Sequence, residues 1–407
     1  MKKQEEISLN SIESLIFGKK KSVSSDQMAV FAHQTLIGNN KNNDCKVYKE
    51  IEESLSLDSC SSCEEEVLTY ISDLFNQITT IPFKANSNTY FSFIDLFAGI
   101  GGFRIAMQHC GGKCVYSSEW DDNARQTYFH NFGDVPFGDI TREHTKRFIP
   151  DGFDVLCAGF PCQAFSIAGY RKGFNDIRGT LFFDVAEIIK RKRPKAIFLE
   201  NVKNLYTHDN GKTFSVIKST LEDLGYIVYH QVMNAMEYAN IPQNRERIFI
   251  VCFDPKQVPN HNEFHFPKKE KLTLKIEDLI DYTINDRSFF YTEKFPHFEE
   301  LCEGVVSTDS IYQWRRQYVR KNMSHVCPTL TANMGTGGHN VPLILTPNGI
   351  RKLTPKECLN FQGYPKEYSF PDGIPNSAKY KQAGNSVVVP LIEKVCKNIV
   401  TTILNRF

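Results

Sequence analysis

Residues 159–166, GFPCQAFS, place a thiol directly after a proline and beside the polar side chains of Gln163 and Ser166. The preceding FDVLCA is an apolar run of the kind a buried strand shows, and Gly159 and Pro161 mark its end. Cys157, inside the run, reads as a small core hydrophobe; Cys162, beyond it, does not. A thiol opening a loop past the carboxyl end of a strand stands where open α/β sheets hold their ligands, and its thiolate is a nucleophile. FLENV ends another apolar run with Glu200, followed by Asn201. A carboxyl group partly withdrawn from water holds a proton near neutrality and can donate it. QNRERIFIV puts Arg245 and Arg247 on one face by strand alternation, just ahead of a buried strand. A plain structural ion pair is the alternative reading of Glu200 and Arg247.

A second group of residues suggests a ligand pocket beside that chemistry. FAGIGGFR follows the apolar run FSFIDLF, and Gly99 and Gly101 would let backbone approach a ligand closely. A mere tight turn is the competing account. The dinucleotide fingerprint asks for a glycine or alanine where this chain has Arg104, which counts against a nicotinamide cofactor. Glu119, ending the next strand-like run, is placed to accept ribose hydroxyls. Trp120 offers a flat face for an adenine, unless it is a core aromatic, and Asp139 in FGDI ends another short strand. Carboxylates repel a pyrophosphate and suit a cation. S-adenosylmethionine, with an adenosine, an ammonium, a sulfonium and no phosphate, fits that lining, with Phe97 as a cation–π partner of the sulfonium.

These residues need a scaffold, and the chain between 91 and 254 supplies its pattern. Strand-like runs alternate with helical ones: Phe103, Ala106, Met107 and Cys110 share one face, as do Phe182, Val185, Ala186 and Ile189, and later Phe214, Ile217, Leu221 and Leu224. Alternation of this kind predicts an α/β fold with a mostly parallel sheet. It breaks after Asp254, and residues 255–350 are rich in Asn, His, Pro, Gly and aromatics. Regularity returns at LTPKE, where Thr354, Pro355 and Glu357 spell a capping box with proline at the first helical position. A last helix with Ile392, Val395, Cys396 and Ile399 on one face must fold back on the upstream sheet. Four segments result: 1–88, accessory and of unassigned role; 89–254, catalytic and cofactor-binding; 255–350, a smaller irregular domain; and 351–407, a return to the first.

The 407 residues, 41% hydrophobic and 23% charged, have the composition of a soluble globular protein. No apolar run reaches the length of a membrane span, and MKKQEEISLN lacks the core of a secretory signal. The twelve cysteines follow no regular framework, so a reduced, cytoplasmic chain is expected. Cys60 and Cys63 form a CxxC without a second ligand pair, and no metal is expected. A net charge of +1 leaves nucleic-acid binding to local patches.

The blocks FIDLFAGIGGFR, SSEWD, FGDI, GFPCQAFS, RGTLFFDV, LENVKNL, QNRERIFIV, RKLTPKECLNFQGYP and QAGNSVVVP, in this order, resemble the bacterial DNA (cytosine-5)-methyltransferases of type II restriction–modification systems. The resemblance spans most of 91–254 and 351–390 and leaves 1–88 uncovered. It implies a Rossmann-like S-adenosylmethionine-dependent methyltransferase domain with a smaller target-recognition domain at 255–350. It further implies that Cys162 attacks C6 of a flipped-out cytosine in a short double-stranded DNA sequence. Glu200 would act at ring N3, and Arg247 and Arg245 at the O2 edge and phosphate. Ile140 and Asn385 would join Phe97, Gly99, Gly101, Glu119, Trp120 and Asp139 in the cofactor pocket. Gln163 and Ser166, with Arg315 and Arg316 of YQWRRQYVRK and the Thr329–Leu330 pair, would meet DNA, although the basic stretch also fits an ordinary solvated face. A monomeric enzyme and a cognate endonuclease acting on the same site complete the expectation. A tRNA methyltransferase, a nicotinamide oxidoreductase and a non-catalytic DNA-binding regulator are the rival readings.

Overall fold

The structure, a computed structural model, describes residues 81–84, 87–161, 181–315, 317–334 and 342–405. Cys162, Gln163, Ser166 and Arg316, and nearly all of the 1–88 segment, lie outside the described residues.

Six strands form the central sheet: β1 (Phe91–Leu96), β2 (Gly112–Ser118), β3 (Val155–Ala158), β4 (Ala196–Val202), β5 (Ile227–Asn234) and β7 (Glu246–Phe253). Their order is β2-β1-β3-β4-β7-β5. The first four run parallel, and β7 is antiparallel to both β4 and β5. The interior strands are apolar on both faces because both faces are covered: Ile94, Leu156, Ile197 and Ile250 pack on one side, Phe93, Cys157, Phe198 and Phe249 on the other. Edge strand β5 is half-exposed along most of its length, and its mixed IVYHQVMN sequence shows no clean period. That strand is absent from the sequence reading.

The sheet is flanked by helices α1 (Gly102–His109), α2 (Asp122–Phe132), α3 (Leu181–Lys192) and α4 (Lys212–Asp223), of which α3 and α4 bury their expected stripes. Asp121 caps α2 by accepting the Ala124 N–H at 3.1 Å. Helix α1 departs from a one-sided pattern, since Gly102 through Gln108 are all buried. The sheet covers one side, and the C-terminal helix supplies further apolar residues to the same core: Ile392, Val395, Cys396 and Ile399 are fully buried in it. Buried Arg104 is satisfied by Asp134 at 2.6 Å, Tyr128 at 3.0 Å and Gln108 at 2.7 Å, over the Phe132 ring.

Beyond β7 the chain forms helix α5 (Phe298–Gly304) and a small antiparallel sheet of β8 (Tyr312–Trp314), β9 (Val319–Lys321), β11 (Pro342–Thr346) and β12 (Gly349–Lys352), in the order β12-β11-β8-β9. Leu301, Val305, Tyr312, Leu343 and Ile350 are its core. Val258, Phe264, Ile276, Leu330 and Met334 belong instead to the large core, so the middle segment is anchored at both ends. Two short strands, β6 (Gln243–Asn244) and β10 (Cys327–Pro328), pair in parallel as a separate two-stranded sheet and join the middle segment to the chain just before β7. Helix α6 (Pro355–Asn360) starts with the Thr354–Glu357 capping box, and Glu357 also forms a fully buried ion pair with Arg351. Helices α7 (Asn376–Asn385) and α8 (Val389–Leu404) end the fold. Among the described residues no helix is long and apolar enough to cross a membrane.

Gly101 caps α1 in the left-handed region at φ 78°, and a Cβ there would overlap the Phe132 ring. Gly101→Ala should therefore lower the unfolding free energy by about 2–4 kcal/mol in urea denaturation, from left-handed strain plus overpacking. A loss below about 1 kcal/mol would show that the turn relaxes freely.

Candidate active site

Strand order reverses between β1 and β3, since β2 lies on one side of β1 and β3 on the other. The crevice beyond the carboxyl ends of such strands is where open α/β sheets bind ligands. A cavity of about 540 Å³ opens there. Its lining includes Phe97, Gly99, Glu119, Trp120, Asp139, Ile140 and Asn385 together with Pro161, Glu200, Arg245 and Arg247. Sequence-distant groups thus share one cavity. Gly101 is not in its wall; its backbone geometry and the Phe132 ring, rather than a ligand, explain the glycine.

Phe97 and Gly99 both adopt left-handed backbone, at φ 57° and 54°. This turn aims the Gly99 N–H at Glu119 Oε2, 2.8 Å away, while the Asp121 N–H donates to Oε1 at 2.8 Å. A carboxylate has about four acceptor positions, so roughly two remain for other donors. Burial raises the pKa of Glu119, and the backbone N–H groups of Asp121, Gly99 and Trp120 oppose that rise. Trp120 is 73% exposed, which removes the core-aromatic alternative. FGDI reaches Glu119 through a short parallel bridge, with the Glu119 N–H donating to Phe137 O at 2.7 Å and the Phe137 N–H to Ser117 O at 2.8 Å.

Glu200 and Arg247 meet because β7 runs backwards. Its first residues lie beside the last residues of β4, with Val202 opposite Arg247 and Glu200 opposite Phe249. Long side chains bridge such a diagonal, and Arg247 Nε stands 3.1 Å from Glu200 Oε1. Burial pushes the Glu200 pKa upward, while Arg247 and Arg245 pull it down. The ion pair is real, and it borders the cavity. Asn201 Nδ2 donates to Phe160 O at 2.7 Å and so holds the strand end that leads to Pro161.

Arg245 is arranged differently from its neighbour. It is 3% exposed and donates to Leu330 O at 2.8 Å, Gly384 O at 3.2 Å and Ser386 O at 2.5 Å. Leu330 is core, and its N–H donates to Gln243 Oε1 at 3.2 Å. Thr329 is half-buried, its hydroxyl donating to Asn244 O at 2.6 Å. The Arg315 N–H donates to Tyr318 O at 2.9 Å in the β8–β9 turn.

A family model described as C-5 cytosine-specific DNA methylase matches residues 91–401. The chain belongs to that family. The methylase is 51% identical over 313 residues to the type II methyltransferase M.Bsp6I of Bacillus sp. (strain RFL6), covering 76% of this chain and 98% of that one. It is 43% identical over 334 residues to the type II methyltransferase M.HhaI of Haemophilus parahaemolyticus, covering 78% and 97%. Its fold matches the solved structures of the Entamoeba histolytica methyltransferase EhMeth (TM-score 0.57, 17% identity, 78% and 98% covered) and of S. pombe Dnmt2 methyltransferase (TM-score 0.56, 16% identity, 78% and 99% covered). S-adenosylmethionine is the methylase's cofactor. Spare acceptors on Glu119, an exposed indole and a carboxylate on Asp139 fit an adenosine and a cationic tail.

Sequence reasoning missed Asp95, whose two carboxyl oxygens are buried with no hydrogen-bond partner among the described residues. Burial holds its pKa well above the usual range, with Arg104 opposing. A lone acid inside FSFIDLF was the available signal. Asp121 and Lys381, also in the cavity wall, carried no such signal.

Glu119→Ala should weaken S-adenosylmethionine binding about tenfold or more in calorimetry, as for a lost hydrogen bond to a charged group. DNA binding measured without cofactor should hold; the reverse pattern would remove Glu119 from the pocket. In the ligand-free methylase, carbon-13 NMR should find Glu200 titrating above the ordinary value of about 4.3. Arg247→Met should raise that midpoint further, since Arg245 alone then opposes the effect of burial; a downward move would contradict the pairing.

Proposed function

We propose that the methylase modifies C5 of one cytosine in a short duplex DNA sequence through a covalent bond from Cys162. The observation that carries this reading is the single cavity that holds Glu119 and Trp120 together with the Glu200–Arg247 pair and Pro161, the residue before Cys162. S-adenosylmethionine, when bound, supplies an electrophilic methyl group. Cytosine C5 is too poor a nucleophile to take it unaided. The Cys162 thiolate adds to C6, forming an S–C6 bond and moving the ring's electron pair toward C5. Glu200 supports the addition by giving a proton or hydrogen bond to N3, a role that its burial favours. Arg247 binds the O2 edge and keeps Glu200 oriented. After C5 is methylated, a base removes the C5 proton, and the S–C6 bond breaks to return the thiolate. The chemistry requires the base outside the duplex stack.

Residues 255–350 carry target recognition, with Arg315, Arg316, Thr329 and Leu330 in or supporting the DNA contact and Gln163 and Ser166 on the closing loop. Arg245 supports the site through its three carbonyls rather than through DNA. Segment 351–407 completes the cofactor wall through Asn385, and 1–88 is an accessory segment. The enzyme works in the bacterial cytoplasm as a monomer and protects host DNA from an endonuclease of the same specificity.

DNA carrying 5-fluorocytosine at the target should trap a denaturant-stable complex, because fluorine at C5 blocks the final elimination. Cys162→Ser should abolish both trapping and transfer; survival of either would overturn the covalent route. Plasmid treated with the purified protein and read by bisulfite sequencing should show 5-methylcytosine in one recurring short motif. Methylation scattered over unrelated contexts, or found on RNA alone, would refute sequence-specific DNA recognition.

A further inference from the structure

Two side-chain contacts join the segment after β2 to helix α7, and both border the cavity. At the base, Thr127 Oγ1 donates to Gln382 Oε1 at 2.8 Å, with both residues buried. At the rim, Lys381 Nζ pairs with Asp121 Oδ2 at 2.6 Å, their side chains 48% and 21% exposed. The two contacts differ in kind. A buried neutral hydrogen bond is indifferent to salt, whereas a half-exposed ion pair is screened by it. The buried contact is therefore insensitive to salt, and the half-exposed one is the contact that salt can weaken.

Asp121 is well placed to pass on what happens at that rim. Its Oδ1 accepts the Ala124 N–H and starts α2, and its own N–H donates to Glu119 Oε1. Trp120 stands between Glu119 and Asp121, with its ring exposed in the cavity wall. Fixing Asp121 fixes both neighbours. We propose that the Lys381–Asp121 ion pair is a clasp over the cavity mouth and that Lys381 is a positioning residue controlling how fast S-adenosylmethionine enters and leaves. The inference rests on the cavity being the cofactor pocket, which Glu119→Ala tests separately.

Trp120 and Trp314 are the two tryptophans of the chain, so Trp314→Phe leaves Trp120 as a sole reporter beside the ligand. Stopped-flow fluorescence in that background measures dissociation of S-adenosylhomocysteine, the product form of the cofactor. Lys381→Gln should speed dissociation about two- to fivefold at low salt, the span expected for an exposed pair. The difference should vanish near 1 M salt, where screening reaches about 3 Å. Lys381→Arg should keep the slow rate. Asp121→Asn, which retains a capping side chain, should match Lys381→Gln, and the double variant should be no faster than either single one. An unchanged rate in Lys381→Gln, an acceleration that persists at high salt, or additive effects would overturn the clasp. A lower melting temperature of the ligand-free Lys381→Gln protein with an unchanged rate would assign the pair to stability alone and equally overturn it. If Glu119→Ala weakens binding while Lys381→Gln does nothing, the clasp fails and the pocket stands; if Glu119→Ala does nothing, the pocket itself is misplaced.

Discussion

Arg245 commits both terminal nitrogens of its guanidinium to main-chain carbonyls, and those carbonyls come from chain segments far apart in sequence. Leu330 belongs to the middle segment, Gly384 and Ser386 to the end of α7. Around it the same joint is closed by Gln243, which donates to Phe361 O at 2.6 Å and accepts from Leu330, and by Gln362, which donates to Ala383 O at 2.7 Å. Gly384 has no side chain because a Cβ would overlap the carbonyl of Thr331. A buried polar network of this kind stabilises only when its members are satisfied, and removing one leaves the others exposed to the full desolvation cost. The joint fixes the cofactor wall, the middle segment and the start of β7 relative to one another.

That start of β7 is where Arg247 sits, and the direction of the strand does the rest. A parallel β7 would place its first residues beside the amino end of β4, away from Glu200. Running antiparallel, it brings Arg247 alongside the carboxyl end of β4. The ion pair then tunes a carboxyl group caught between two opposing influences: burial favouring the protonated form and the guanidiniums favouring the charged one. An acid held between such influences is suited to giving up and regaining a proton near neutrality.

The remaining charges around the cavity are also committed in pairs. Lys381 is held by Asp121, Arg245 by carbonyls, and Glu119 by two backbone N–H groups that leave part of its acceptor capacity unused. Strain at Phe97, a non-glycine residue in left-handed backbone, is sustained by the Gly99 N–H bond to Glu119 and by the Tyr368 hydroxyl, which donates to Ile100 O at 2.5 Å. The ring of FQGYPKEYSF thus braces a turn more than 250 residues earlier in the chain.

The sequence by itself determined the elements whose signals are local. Capping at Asp121 and Thr354, the stripes of α3 and α8, and the buried runs of β1, β3 and β4 depend on neighbouring residues, and so they are legible. Ordered blocks around Cys162, Glu200 and Arg247 were legible for the same reason, as was the family to which they point. Tertiary structure alone decided what depends on partners distant along the chain. Half-exposed β5 carries no clean period because an edge strand faces two environments. The antiparallel course of β7 leaves no mark on RIFIVCF, since a strand buried on both faces reads the same in either direction. Gly101 and Gly99 look alike in FAGIGGFR, yet one accommodates the Phe132 ring and the other faces the cavity. Arg245 and Arg247 are two residues apart and chemically identical, but Arg245 is buried among carbonyls while Arg247 reaches a carboxylate. No spacing rule separates such pairs, because what differs is the surface the rest of the fold lays against each side chain.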